Sequence, residues 1–309
     1  MTSNLATTEQ AIPDVAALLL ADKRSPNTQE AYRRDLRAFF GYLGQEPTPE
    51  AVRAFVTQPQ SNMVRTVYGY KAKVMAEGLS EATVNRRLSA VRSLVSFANR
   101  LDLTECTLAA VQGLKVKSYR DTTGPTREEV AGMLAAVDTG TEKGRRDLAI
   151  LRLLWELGLR RSEVASLDVQ DFDAQSRTLQ VRGKGRGTQQ EPMRLSEKAT
   201  AALVAYLGER AEGPLFANVD RARKGAGRMT ARAVYNVVRD CAQKAGLSRV
   251  ISPHRVRHGA ITEALNLTNG NVRAVQQFSR HAKAETVLRY DDNRSGHQEK
   301  VTALLAAAC

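Results

Sequence analysis

At 309 residues the chain is long enough for two ordinary domains, each able to bury its own core. Its 42% hydrophobic and 26% charged residues are those of a soluble globular protein, and no apolar run approaches the ~20 residues that span a bilayer, which excludes a membrane-spanning chain. The 46 Lys and Arg against 33 Asp and Glu leave +13, a balance that predicts an anionic partner, nucleic acid first, with a solvated basic surface as the plain alternative.

Residues 1–11 are polar and unpatterned and read as a flexible tail. Asn27, with Glu30 three residues on, has the form of a capping box, and Tyr32, Leu36, Phe39, Phe40 and Leu43 then repeat as one face of a helix. Shorter helices are predicted at 49–57 and 62–76. A long helix follows Ser80, with Val84, Leu88, Val91, Leu94, Val95 and Ala98 inside and Arg86, Arg87 and Arg92 on the outer face. Residues 12–105 therefore form a small helical bundle with one basic side, the candidate DNA-binding surface.

Periodicity is lost over 106–124, where Gly113, Lys115, Lys117, Arg120 and Gly124 mark a basic linker able to lie along a DNA backbone. The second domain is predicted over 125–309. Thr126 with Glu129 caps its first helix, with Val130, Met133, Leu134 and Val137 facing inward. A strongly apolar helix runs from about Arg145 to Leu157 and ends at Gly158. Two strands, 178–182 and 191–195, flank the glycine-rich tip that holds Lys184, and form a hairpin. Helices resume at 196–209, 230–245, 253–266 and 271–279, with short ones near 285–290 and 297–308. The fold class is mainly α, a helical domain followed by a mostly helical one with a small antiparallel sheet.

Charge clusters along this layout: residues 65–120 carry 10 Lys or Arg against 4 acids, and residues 219–258 carry 10 against 2, as suits a protein gripping a duplex from two sides. Cys106, Cys241 and Cys309 have no metal-ligand or disulfide spacing and read as reduced thiols, the first two within the packing. With no signal-peptide order at the amino terminus, a cytoplasmic, nucleoid-associated protein is expected.

Three segments carry the chemistry. Ser252 is a good N-cap and Pro253 suits the first helical position, so His254, Arg257 and His258 fall at i, i+3 and i+4 on one face of a helix start, where free N–H groups favour a phosphate. Zinc ligation by the two histidines is the rival reading, but no Glu follows His254 and Arg257 shares the face. At Leu157-Gly158-Leu159-Arg160-Arg161-Ser162-Glu163, the chain turns after the apolar helix. Ser162 is placed to cap the next helix, and Glu163 lies near enough to pair with the Arg160 guanidinium. His281 precedes Tyr290 by nine residues.

Taken in order, Arg160, Lys184, His254-x-x-Arg257, His281 and Tyr290 resemble the catalytic signature of the tyrosine recombinase (phage integrase) family. The stretches AYRRDLRAFFGYL and ATVNRRLSAVRSLVSFA resemble that family's core-binding domain, so the likeness covers most of the chain, in the simple two-domain form. The resemblance implies a C-shaped clamp on double-stranded DNA bearing inverted-repeat core sites. It implies Tyr290 as the nucleophile forming a 3′-phosphotyrosine, with Arg160 and Arg257 clamping the scissile phosphate and His254 and His281 donating to it. Lys184 would protonate the leaving 5′ oxygen, His258 would assist Tyr290, and Glu163 would position Arg160. No metal, ATP or other cofactor is implied. Four protomers would assemble on DNA through an apolar carboxy-terminal tail of Val301, Leu304, Leu305 and Ala308, packing of that tail on its own domain being the plain alternative; the sequence names no accessory protein. Ser279-Arg280 stands where the family commonly has Leu-Gly before this histidine. The alternatives are a DNA-relaxing topoisomerase with the same tyrosine chemistry and a DNA-binding regulator with none.

Overall fold

The computed structural model describes residues 13–116, 124–183, 189–218, 227–288, 290, 302 and 305–307, in a chain that folds as two compact units, Met1–Tyr119 and Arg120–Cys309. The expected tail at 1–11 lies outside the described residues.

The described first unit is a bundle of α1 (Val15–Ala21), α2 (Pro26–Tyr42), α3 (Pro49–Val56), α4 (Gln60–Ala76) and α5 (Glu81–Arg100). Helix α1 is absent from the sequence expectation because two turns are too few to show a period. It is capped by Asp14, whose carboxylate accepts the Ala17 N–H at 2.8 Å, and it buries Val15, Ala16 and Leu19. Helix α2 starts before Asn27, a second correction. Ser25 is its N-cap and Pro26 takes the first helical position, where a fixed φ and a missing N–H cost nothing, so Glu30 pairs instead with Arg33 at 2.6 Å. Phe39 sits edge-on to Phe40, Phe55 and Tyr70, with ring centroids 5.4, 4.9 and 5.2 Å away, and forms the middle of the core. On α5, Ser80 caps and the six apolar positions are all buried, as their spacing predicts.

The arginines of α5 are partly exposed, as expected, but are also engaged within the unit. Arg86 pairs with Asp35 of α2, a carboxylate 1% exposed. Arg92 donates to the Val111 carbonyl, and Arg87 is half-buried beside Tyr70. The start of the expected linker is also fixed to the bundle. Leu108 and Val111 are buried, and Asn85 brackets Leu114, accepting its N–H at 2.7 Å and donating to its carbonyl at 2.8 Å. Lys115 is exposed beyond this point, and Lys117 lies outside the described residues.

The described second unit comprises α6 (Arg127–Ala135), α7 (Glu142–Glu156), α8 (Arg161–Ser166), β1 (Phe172–Asp173), β2 (Thr178–Arg182), β3 (Gln190–Arg194), α9 (Glu197–Leu207), α10 (Ala231–Lys244), α11 (Pro253–Leu267), α12 (Val272–Ser279) and α13 (Ala284–Leu288). Strands β2 and β3 pair antiparallel from Thr178↔Arg194 to Arg182↔Gln190, forming the expected hairpin. The two-residue β1 adds an unexpected edge to β2. The hairpin tip, Lys184 included, lies outside the described residues. Helix α7 begins at Glu142 rather than near Arg145 because the Thr141 hydroxyl accepts the Gly144 N–H at 3.0 Å. It fills the core with Ile150, Leu151, Leu153 and Leu154. Where the chain enters this unit, Gly124 meets Gly259 of α11 backbone to backbone. A Cβ on Gly124 would stand 2.1 Å from the Gly259 nitrogen, and one on Gly259 would stand 2.4 Å from the Pro125 carbonyl oxygen. Only glycine fits at either position. Among the described residues no helix is long and apolar enough to cross a membrane.

Because Asp35 is buried against Arg86, Arg86→Ala should destabilise the first unit by about 2 kcal/mol, less than a fully enclosed pair would lose because Arg86 is partly open to water. Arg33→Ala, which breaks an exposed pair, should cost at most about 0.5 kcal/mol. Urea unfolding of both variants checks this, and equal shifts would show that burial of Asp35 does not set the difference.

Candidate active site

The site grows from the start of α11. Ser252 accepts the Arg255 N–H at 3.2 Å, and Pro253 begins the helix as its residue type predicts. Of the three functional side chains in the first turns, Arg257 is 2% and His258 7% exposed, while His254 stays open to solvent at the rim.

A buried guanidinium needs acceptors. Arg257 finds them in two backbone carbonyls, donating through Nη1 to Gly158 and through Nη2 to Ser279. Ser279 is the last residue of α12, whose final carbonyls have no partner within the helix and carry its negative dipole end. Gly158 lies just past α7 with φ +55°, and a Cβ there would press on the Phe278 ring at 3.2 Å. Burial first, then Arg160, pushes the Arg257 pKa down to about 10, so it remains a cation at neutral pH.

Arg160 enters from the α7–α8 turn. It is itself the N-cap of α8. Ser162, expected to cap, instead lies exposed within the helix, and Glu163 closes the turn from inside. The Glu163 carboxylate, 3% exposed, accepts the Arg160 backbone N–H at 2.9 Å and the Arg160 guanidinium at 2.7 Å. The pairing foreseen from sequence is present. A second cation was not foreseen: Arg280 donates to the same carboxylate at 2.5 Å.

The segment Ser279-Arg280-His281 turns the chain from α12 toward α13. Arg280 takes the left-handed conformation, φ 55° and ψ 39°, that a glycine would ordinarily supply at a helix end. His281 has its Nδ1 2.9 Å from the Ser279 hydroxyl and its Nε2 3.4 Å from Arg257, and its carbonyl accepts from Gln276 at 3.0 Å. A guanidinium can only donate, so Nε2 presents its lone pair and Nδ1 carries the hydrogen toward Ser279. Burial, then Arg257, Arg160 and Arg280, pushes the His281 pKa down to about 4. The His254 pKa is lowered in the same sense, by desolvation first and then by Arg257 and Arg160.

Tyr290 follows α13 and is 9% exposed. Its carbonyl accepts from the Thr262 hydroxyl at 3.3 Å, and its ring lies 4.6 Å from the His258 ring and 5.6 Å from that of His281, measured between centroids. The structure thus brings Arg257, His258, His281 and Tyr290 into one contiguous group and joins Arg160 to it through Glu163 and Arg280. His254 faces the group electrostatically from the rim. Lys184 lies outside the described residues, and Arg86, Arg87, Arg92 and Lys115 belong to the first unit. Sequence reasoning passed over Ser279 and Gly158 as holders of Arg257, and noticed Arg280 only as a missing glycine.

Residues 126–297 match the phage integrase family, and residues 15–101 match the phage integrase N-terminal SAM-like domain. A tyrosine recombinase of Synechococcus elongatus is 46% identical over 95% of this chain and 93% of its own length. One of Synechocystis is 43% identical over 93% of each. In fold, the chain is similar to the Tn1549 transposon integrase, solved in complex with transposon right end DNA. The TM-score is 0.69 at 18% identity, covering 95% of this chain and 98% of that one.

Burial, and then the surrounding cations, keep His281 neutral. His281 should titrate near 4, so its ring signals in NMR spectra should not move between pH 7.5 and 5.5. Because the unfolded chain binds this proton near pH 6.5 and the folded chain does not, stability should fall as pH drops from 6.5 toward 4. A His281 midpoint at or above 6.5 would refute the geometry.

Proposed function

The chain belongs to the phage integrase family of tyrosine recombinases, and from that premise we propose that it is a site-specific recombinase that cuts and rejoins double-stranded DNA through Tyr290. The observation that carries the residue assignment is the convergence of His258 and His281, from two separate segments, on the Tyr290 ring, with Arg257 beside His281. Such an arrangement suits a phosphodiester held beside a phenol.

In the proposed reaction the Tyr290 oxygen attacks phosphorus and the bond to the 5′ oxygen breaks, leaving a 3′-phosphotyrosine. A phenol with a reference pKa of about 10 is a weak nucleophile at neutral pH, and His258 is the group best placed to take its proton. Lys184 returns a proton to the leaving 5′ oxygen. Arg160 and Arg257 neutralise the charge gathering on the non-bridging oxygens, with His254 and His281 as further donors. For His281 to donate through Nε2, its proton must leave Nδ1. The Ser279 hydroxyl permits this, since it can donate to Nδ1 as well as accept from it. The phosphotyrosine keeps the bond energy of the phosphodiester, so attack by a 5′ hydroxyl restores DNA without ATP or a metal.

The wider reading is of a tetramer on inverted-repeat core sites, joined through the carboxy-terminal tail and working where the chromosome lies. It is supported by the apolar tail stripe, whose Leu305 is 65% exposed, and by the family.

Wild type and Tyr290→Phe, expressed in cells and denatured, should differ in the DNA left covalently attached. A recurrent site is expected on the wild type and none on the variant. Equal adducts, or none even with nicked substrates that trap the intermediate, would overturn the Tyr290 mechanism.

A further inference from the structure

We infer that Arg280 is a positioning residue for strand cleavage, holding Glu163 and through it Arg160. The inference rests on the proposed role of Arg160 at the scissile phosphate. Its starting point is a conflict between residue type and backbone. Position 280 has φ 55°, a conformation open to glycine and tolerated by asparagine, yet an arginine occupies it with its side chain only 6% exposed. The buried position does not repay the residue locally. Among the described residues, its Nη1 meets the Met193 thioether alone, and its Nε is buried without a hydrogen-bond partner. Among the described residues its ion pair is with Glu163, at 2.5 Å, and Glu191 is a second, weaker electrostatic partner.

Glu163 stands between two cations. One carboxylate oxygen accepts the Arg160 guanidinium, and the other accepts both the Arg160 backbone N–H and Arg280. Arg280 therefore fixes the plane of the carboxylate that orients Arg160. Its two terminal nitrogens are directed at Glu163 and Met193, so it acts through Glu163. Three consecutive residues then serve the site in three ways: the Ser279 carbonyl holds Arg257, Arg280 holds Glu163, and His281 packs on Tyr290.

The test uses the full chain and a nicked duplex carrying the site recovered with the wild-type adduct. Adduct formation is followed in single turnover at saturating protein, beside DNA affinity and melting temperature. R280G keeps the backbone turn and removes the guanidinium. It should slow cleavage roughly 10- to 100-fold while DNA affinity holds and the chain stays folded at the assay temperature, as expected when a reacting group is misplaced without loss of binding. R280K should recover part of the rate. In an E163Q background, adding R280G should cost little more, because both changes break one link. Wild-type cleavage by R280G, or losses from R280G and E163Q that simply multiply, would overturn the inference. Should R280G unfold at the assay temperature, R280N, neutral and tolerant of this backbone, decides in the same way. No adduct from the wild type would instead defeat the proposed function, so the two failures are distinguishable.

Discussion

The second unit depends on a buried positive charge satisfied by backbone. Arg257 is held by the carbonyls of Gly158 and Ser279, which lie 99 and 22 residues from it in the chain. Neither acceptor can be altered by side-chain substitution, and both are released only because a helix stops there. The ends of α7 and α12 and the first turns of α11 are consequently fixed with respect to one guanidinium. Removing that cation would leave carbonyls unpaired, and removing either helix end would leave a charge unpaired, each costly in the interior. The arrangement that presents Arg257 is the same one that closes the core around it.

A consequence is that the site carries more positive charge than it neutralises. Arg160 and Arg280 both pair with one carboxylate, Glu163, with Arg257 close by, and the depressed pKa values of Arg257 and His281 report burial first and that crowding second. In a protein with no anion to hold, this would be a defect. Around a phosphate whose charge grows in the transition state, fixed cations need no reorganisation when the reaction occurs. The neutral state of His281 belongs to the same logic, since a further cation would be repelled, whereas a neutral imidazole can still donate one hydrogen bond.

How much of this was legible in the sequence depends on how local each cause is. Ser252-Pro253 fixed the start of α11 because cap and first-turn preferences act over a few residues, and the buried stripe of α5 followed from its period. The pairing of Glu163 with Arg160 is three residues apart and could be read directly. Arg86 could not be read correctly. Its position on the helix wheel looked outward, but Asp35, 51 residues earlier, draws it in. Likewise α1 is too short to announce itself, and the stretch after residue 105 lacks periodicity although Asn85 straps it down. Arg280 shows the limit most clearly. In the sequence it is a departure from a glycine turn, and only the fold reveals that the turn persists with a charged side chain added.

The meeting of Gly124 and Gly259 bears on how faults could spread. Two residues 135 positions apart in the chain share a gap that admits hydrogen and nothing larger. They have no side chains, no charge and no hydrogen-bonding groups beyond the backbone, so no inspection of reactive groups would single them out. Yet Gly259 lies one residue beyond His258 on the helix that also presents Arg257. Any bulk inserted in that gap must be absorbed by shifting this helix against Pro125 and Trp155. The precision of the chemistry is thus underwritten partly by empty space, and its tolerances are set at a seam where two stretches of bare main chain touch.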